Sequence, residues 1–139
     1  MAKTRLVELL NRALQEEYTD IFLYSREADI IKDKAIAEKF ERFGRMELRH
    51  ADNVAMQIQI LDGTPAWEFL PLAVEKSLDK ILRGHLERET AGIRLYEELI
   101  KLSDGEGKDQ VKLIMKGIKA EEEGHLKVIK EMLSVPKGA

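Results

Sequence analysis

Apolar residues recur along this chain every three or four positions and nowhere settle into strict alternation. Leu6, Leu9, Leu10, Ala13, Leu14, Ile21 and Tyr24 trace one face of a helix predicted over about residues 3–31. After the polar Lys32-Asp33-Lys34, a second helix is predicted over residues 35–61, closed by Asp62-Gly63. A third is predicted over residues 75–102. Ser103-Asp104-Gly105-Glu106-Gly107 then turns the chain into a fourth over residues 108–133, ended by Pro136 and followed by a tail expected to fray. Each segment exceeds twenty residues, so the pattern predicts an all-α four-helix bundle in one domain spanning residues 1–139.

The inward faces also carry charge. Two Glu-x-x-His steps, Glu47 to His50 and Glu122 to His125, use two of the three histidines. Positions three apart share a helix face, so each step aims a carboxylate and an imidazole the same way. Glu17 stands thirty residues before Glu47, and Glu89 thirty-three before Glu122. Tyr24 and Tyr96 each follow their glutamate by seven, which keeps them on the same face roughly 10 Å along the axis. Each predicted hairpin therefore bears half of one ligand set, and the other half completes it. Four carboxylates and two imidazoles from four helices suit a two-metal site. Glu17 with His50 is assigned to one metal and Glu89 with His125 to the other, Glu47 and Glu122 bridging. A lone Glu-x-x-His step is better read as a salt-bridged surface pair; the duplication on separate helices is what points to metal.

The middle connection tests this reading. If Glu47 and Glu89 lie at one depth and the second and third helices run parallel, the link spans roughly 42 Å, near the reach of an extended thirteen-residue segment. An up-down-down-up order with a long crossover between helices two and three follows. Gly63, Pro65, Trp67 and Pro71 keep that crossover out of a helix.

Other positions receive plainer readings. Glu16, Glu121 and Glu123 fall about 100° round the helix from the proposed ligands, toward solvent or an outer partner role. His85 is read as a surface histidine in preference to an accessory ligand or hydrogen-bond partner, Asp20 as a candidate extra carboxylate, and Tyr18 as packing. Met46, Met56 and Met115 are read as core filling. Gly92 and Gly117 suggest close helix approach. Tyr24 and Tyr96 are expected to hydrogen-bond ligand carboxylates or donate electrons, or to be ordinary core aromatics.

Bulk composition narrows the classes. The 139 residues carry 35% charged side chains with a net charge of −3, so no basic stripe suggests nucleic acid. No apolar run approaches membrane-spanning length. The absence of cysteine rules out thiolate ligands and thiol catalysis. The N-terminal segment lacks a signal-peptide core, and the cytoplasm is the expected compartment.

At these residues the chain resembles the ferritin-like superfamily, and bacterioferritins in particular. The likeness rests on LNRALQEEY around Glu17, RMELRHADN around Glu47 and His50, LERETAG around Glu89, AEEEGHL around Glu122 and His125, and LDGTP after the second helix. It implies a bundle holding two iron ions per chain that oxidises Fe(II) with O2 or H2O2, often within an iron-storing shell; manganese is the other metal this set suits. All six ligands carry over, and Tyr24 matches a tyrosine beside the bacterioferritin centre. Three departures matter. Leu48 stands where bacterioferritins place their haem-ligating methionine, so no haem is expected. The fifth helix of the family has no counterpart, which favours a dimer among homo-oligomers. Val54 and Val128 replace two aromatics.

A rubrerythrin-like peroxide or oxygen reductase is the main alternative, and it would need an external electron donor. A manganese catalase-like activity, or a helical scaffold stabilised by metal, completes the set.

Overall fold

The computed structural model describes residues 2–68 and 70–134, with the side chains of residues 2 and 3 left aside. Four helices fill it: α1 Ala2–Ile30, α2 Lys34–Ile60, α3 Leu78–Leu102 and α4 Asp109–Ser134. No strand occurs among the described residues. The end of α4 at Pro136 and the fraying expected after it lie outside them. The third helix begins three residues later than its periodicity implied. Ser77 is the reason: its hydroxyl caps α3 by accepting from the Lys80 amide at 3.4 Å. Asp33 caps α2 in the same way, accepting from the Ala35 and Ile36 amides.

The directions of the helices follow from side-chain pairs. Tyr24 meets Glu89 and Tyr96 meets Glu17, so α1 and α3 are antiparallel. His50 meets Glu122 while Glu47 meets His125, so α2 and α4 are antiparallel too. Since α1 and α2 form a hairpin, α2 and α3 run parallel, and the expected up-down-down-up order holds. The crossover is strapped along α1. Asn11 accepts from the Ala66 amide at 2.8 Å and donates to the Thr64 carbonyl, Trp67 packs on Tyr18 at 5.1 Å, and Thr19 accepts from the Leu70 amide.

At the end of α2, the Gly63 amide donates to the Ile58 carbonyl and the Asp62 amide to that of Gln59. This is a Schellman closure with Asp62 in the left-handed region at φ 62°. Gly63 serves a different need: a Cβ there would sit 2.7 Å from Val7 Cγ1 and 3.0 Å from Ile58 Cγ2. Gly63→Ala is expected to cost about 1–3 kcal/mol by overpacking, read as a lower denaturation midpoint with an unchanged m-value. The close approach expected at Gly92 and Gly117 is absent, since nothing lies within 4 Å of a Cβ at either. At Gly44 an added Cβ would make ordinary contacts, 3.4 Å from Ser25 Oγ and 3.6 Å from Tyr24 Cβ.

Two apolar clusters build the interior. One gathers Leu6, Leu10, Leu14, Val54, Ile58, Leu99, Val111 and Met115, the other Tyr24, Phe40, Phe43, Ile81, Leu82 and Ile129. Met56 does not join either: it is 45% exposed, on the far side of α2, so its reading as core filling is corrected. Between the clusters lies a charged layer.

Candidate metal centre

That layer holds all six side chains singled out by spacing. Glu17, Glu47, His50, Glu89, Glu122 and His125 are each at most 4% exposed. One ligand atom from each of Glu17, Glu47, His50 and Glu122 falls within 4.8 Å of the others, and so do those of Glu47, Glu89, Glu122 and His125. Glu47 and Glu122 are common to both sets, the arrangement expected of bridging residues.

Both imidazoles turn Nδ1 inward. That of His50 lies 2.8 Å from Glu122, 3.4 Å from Glu47 and 3.5 Å from Glu17. That of His125 lies 3.3 Å from Glu47 and 3.8 Å from Glu122. Tyr24 donates to Glu89 at 2.9 Å and Tyr96 to Glu17 at 2.6 Å, each tyrosine reaching the other hairpin's glutamate. Both tyrosines are buried in the apolar clusters and hydrogen-bonded to proposed ligands, as either a carboxylate-positioning residue or a core aromatic with a satisfied hydroxyl would be.

The donor set fits a pair of divalent cations. Glu17 Oε2, both carboxylate oxygens of Glu47 and His125 Nδ1 are buried with no hydrogen-bond partner. Buried polar atoms are almost always satisfied, and here four orphans converge on one volume. Burial, with the charges of Glu17 and Glu122, pushes Glu47 well above the usual carboxylate range. Glu17 and Glu89 are raised for the same first reason. Glu122 is the exception: burial opposes its ionisation, but bonds from Glu89, His50 and Glu47 hold it down at about 2. Burial would depress His50, yet its bonds to Glu122 and Glu17 outweigh that and lift it to about 10. So many acids packed together resist ionisation until cations arrive.

His85 corrects the surface reading. It is fully buried, its ring stacked on Tyr24 with centroids 4.0 Å apart. Nε2 lies 2.5 Å from Glu27, and the Arg88 guanidinium donates to Nδ1 at 2.8 Å while also reaching Asp20 at 3.1 Å. Arg88 has only donors, so His85 is the neutral tautomer with its proton on Nε2, given to Glu27. Glu27 and Arg88 escaped the sequence reading, although Asp20, Tyr24 and Glu27 recur at helical spacing and Arg88 follows His85 by three. Burial lifts Glu27 and Asp20 each to about 8, against the pull of Arg88.

A cavity of about 80 Å³ opens beside the layer, bordered by Glu16, Asp20, Leu70, Arg88, Gly92 and Tyr96. Glu17, Glu89 and Glu122 also line it. Met46, half-buried, and Glu121 prove to be partners of the two histidines.

Comparison with known proteins agrees with this architecture. The chain is 26% identical over 128 residues to the bacterioferritin of Desulfovibrio desulfuricans, covering 89% of this chain and 72% of that one. The structure of a D. desulfuricans bacterioferritin, which has a diiron site, superposes with a TM-score of 0.88 at 24% identity, over 96% of this chain and 80% of the other. Rhodobacter capsulatus bacterioferritin gives 0.85 at 24% identity, over 98% and 97%. A ferritin-like, diiron-carboxylate protein from Bacillus anthracis gives 0.91 at 23%, over 96% and 99%. The ferritin-like domain family matches residues 7–138, and the chain belongs to that family.

Proposed function

We propose that this protein binds two Fe(II) ions per chain and oxidises them with O2 or H2O2, serving iron storage or detoxification. The observation that carries the reading is the pair of overlapping donor sets sharing Glu47 and Glu122, with buried, unpartnered oxygens and an unpartnered His125 nitrogen. The diiron site of the D. desulfuricans relative supports it. Glu17 and His50 would hold one ion, Glu89 and His125 the other, with Glu47 and Glu122 bridging. Iron bound there would supply one electron per ion to the oxidant.

The chain's own groups prepare that chemistry. Tyr24 and Tyr96 fix one oxygen each of Glu89 and Glu17, which leaves the second oxygen free to ligate. The apolar clusters above and below the layer exclude bulk water. Leu48 offers no atom that ligates iron, and haem at that place is not part of the proposal. The assembly is proposed to be a homo-oligomer, a dimer or a higher assembly, and light scattering decides its size.

The test is anaerobic addition of Fe(II) followed by O2 in an oxygen electrode. Two irons bound per chain and their oxidation at rates far above buffer are expected. Unchanged oxygen consumption would overturn the proposal. Because both tyrosines contact proposed ligands, a rubrerythrin-like reductase is the second reading. It is favoured if iron stays at two per chain through many turnovers with an added donor, and ferritin-type storage if iron accumulates beyond two. Tyr24→Phe is expected to lower the oxidation rate about tenfold through a loosened Glu89, and the same assay shows it.

A further inference from the structure

The six proposed ligands and the two tyrosines are paired between the two halves of the site, but the residues that meet the outward histidine nitrogens are not alike. In each half, the outward nitrogen of the histidine is met by the residue that precedes the opposite hairpin's bridging glutamate. For His50, that residue is Glu121, whose Oε2 lies 3.1 Å from Nε2. For His125, the equivalent residue is Met46, whose Sδ lies 3.3 Å from Nε2. Among the described residues, no carboxylate is paired with His125 Nε2. The Phe43 ring lies against this imidazole at 4.2 Å.

This difference bears on metal binding. A histidine that ligates through one nitrogen is oriented, and made a stronger donor, by the acceptor on its other nitrogen. A carboxylate does both well, and a thioether is a weak acceptor. We propose that Met46 makes the two metal positions unequal: the His50 position binds tightly, and the His125 position binds weakly and exchanges its ion. This rests on the metal-binding reading above and adds to it which ion comes and goes. Met46 is here a positioning residue that acts through His125. A tight ion beside an exchangeable one suits a protein that keeps one iron while passing the other on.

Glu121 is shared with Arg49, whose guanidinium lies 4.0 Å from the same Oε2.

The test uses the full chain, crystallised anaerobically with half-saturating Co(II), and reads occupancy at each position from anomalous scattering. The unaltered protein is expected to show several-fold more cobalt beside His50 than beside His125. Met46→Glu copies the other half and is expected to tighten the His125 position about 10- to 100-fold, bringing the two occupancies together. Glu121→Gln, at a half-exposed position that folding tolerates, is expected to reduce the His50 position over the same range and reverse the order. Met46→Leu keeps the packing and is expected to leave the ratio within about twofold, because little hydrogen bonding is lost. Equal occupancies in the unaltered protein, or a ratio that Met46→Glu and Glu121→Gln leave in place, would overturn the inference while the two-metal reading stands. Cobalt at neither position would overturn both.

Discussion

Glu47→Leu is expected to reduce bound metal from two ions per chain to one or none and to slow Fe(II) oxidation more than about 100-fold. That exceeds the ~10- to 100-fold typical of losing an outer partner, because Glu47 belongs to both donor sets. The same substitution is expected to make the metal-free protein more stable. Glu47 is wholly buried, and neither of its oxygens has a hydrogen-bond partner. A leucine of similar volume removes that penalty, which for an unsatisfied buried polar group is about 1–3 kcal/mol. Thermal melting and metal analysis on one preparation read both effects. An ordinary core residue would show the opposite pattern, with lower stability and unchanged metal content.

The second large effect concerns pH. Asp20 and Glu27 have folded-state values of about 8, lifted chiefly by burial. An acid whose value rises on folding contributes stability that is complete below its unfolded value and disappears as pH climbs through its folded one. His50, lifted to about 10, acts in the same direction. His85 and His125, both depressed by burial first, act oppositely, but only below their unfolded value of 6.5. Between pH 7 and 9, therefore, only the destabilising groups titrate. Asp20 and Glu27 together are expected to cost the metal-free protein on the order of 2–3 kcal/mol across that window, and His50 adds to that loss. Glu27→Gln should remove about half of the share that Asp20 and Glu27 contribute. Saturating metal, bound at roughly 100 times each dissociation constant, adds about 2.7 kcal/mol per site and leaves the loaded protein well above the metal-free one throughout. Urea denaturation at pH 7, 8 and 9 gives the comparison. A metal-free protein that gains stability over this range would refute the account of the charged layer.

The bundle was legible because its helices are long and amphipathic, and because the crossover carries Gly63, Pro65 and Pro71 where a helix would fail. The six charged residues of the central layer could be read because duplication marks them: each hairpin repeats a glutamate and a Glu-x-x-His step. What escaped was not duplicated. His85 has no counterpart in the other hairpin, and its burial depends on Glu27 and Arg88, which only the folded chain brings against it. Met46 looked like filler because the relation that gives it meaning, opposition to His125, joins α2 to α4 across 79 positions of sequence. The start of α3 was misplaced because periodicity runs on through Glu75 and Lys76, and only the Ser77 cap marks the boundary.

A count of bound metal tests the centre most directly. The purified chain, stripped with chelator and equilibrated anaerobically with excess Fe(II), is expected to retain two irons per polypeptide after desalting under argon or during dialysis at fixed free iron. Glu47→Leu and Glu122→Leu should each fail to hold that pair. Retention of no iron by the unaltered chain, or of two irons by variants lacking either shared glutamate, would contradict a centre built on those residues.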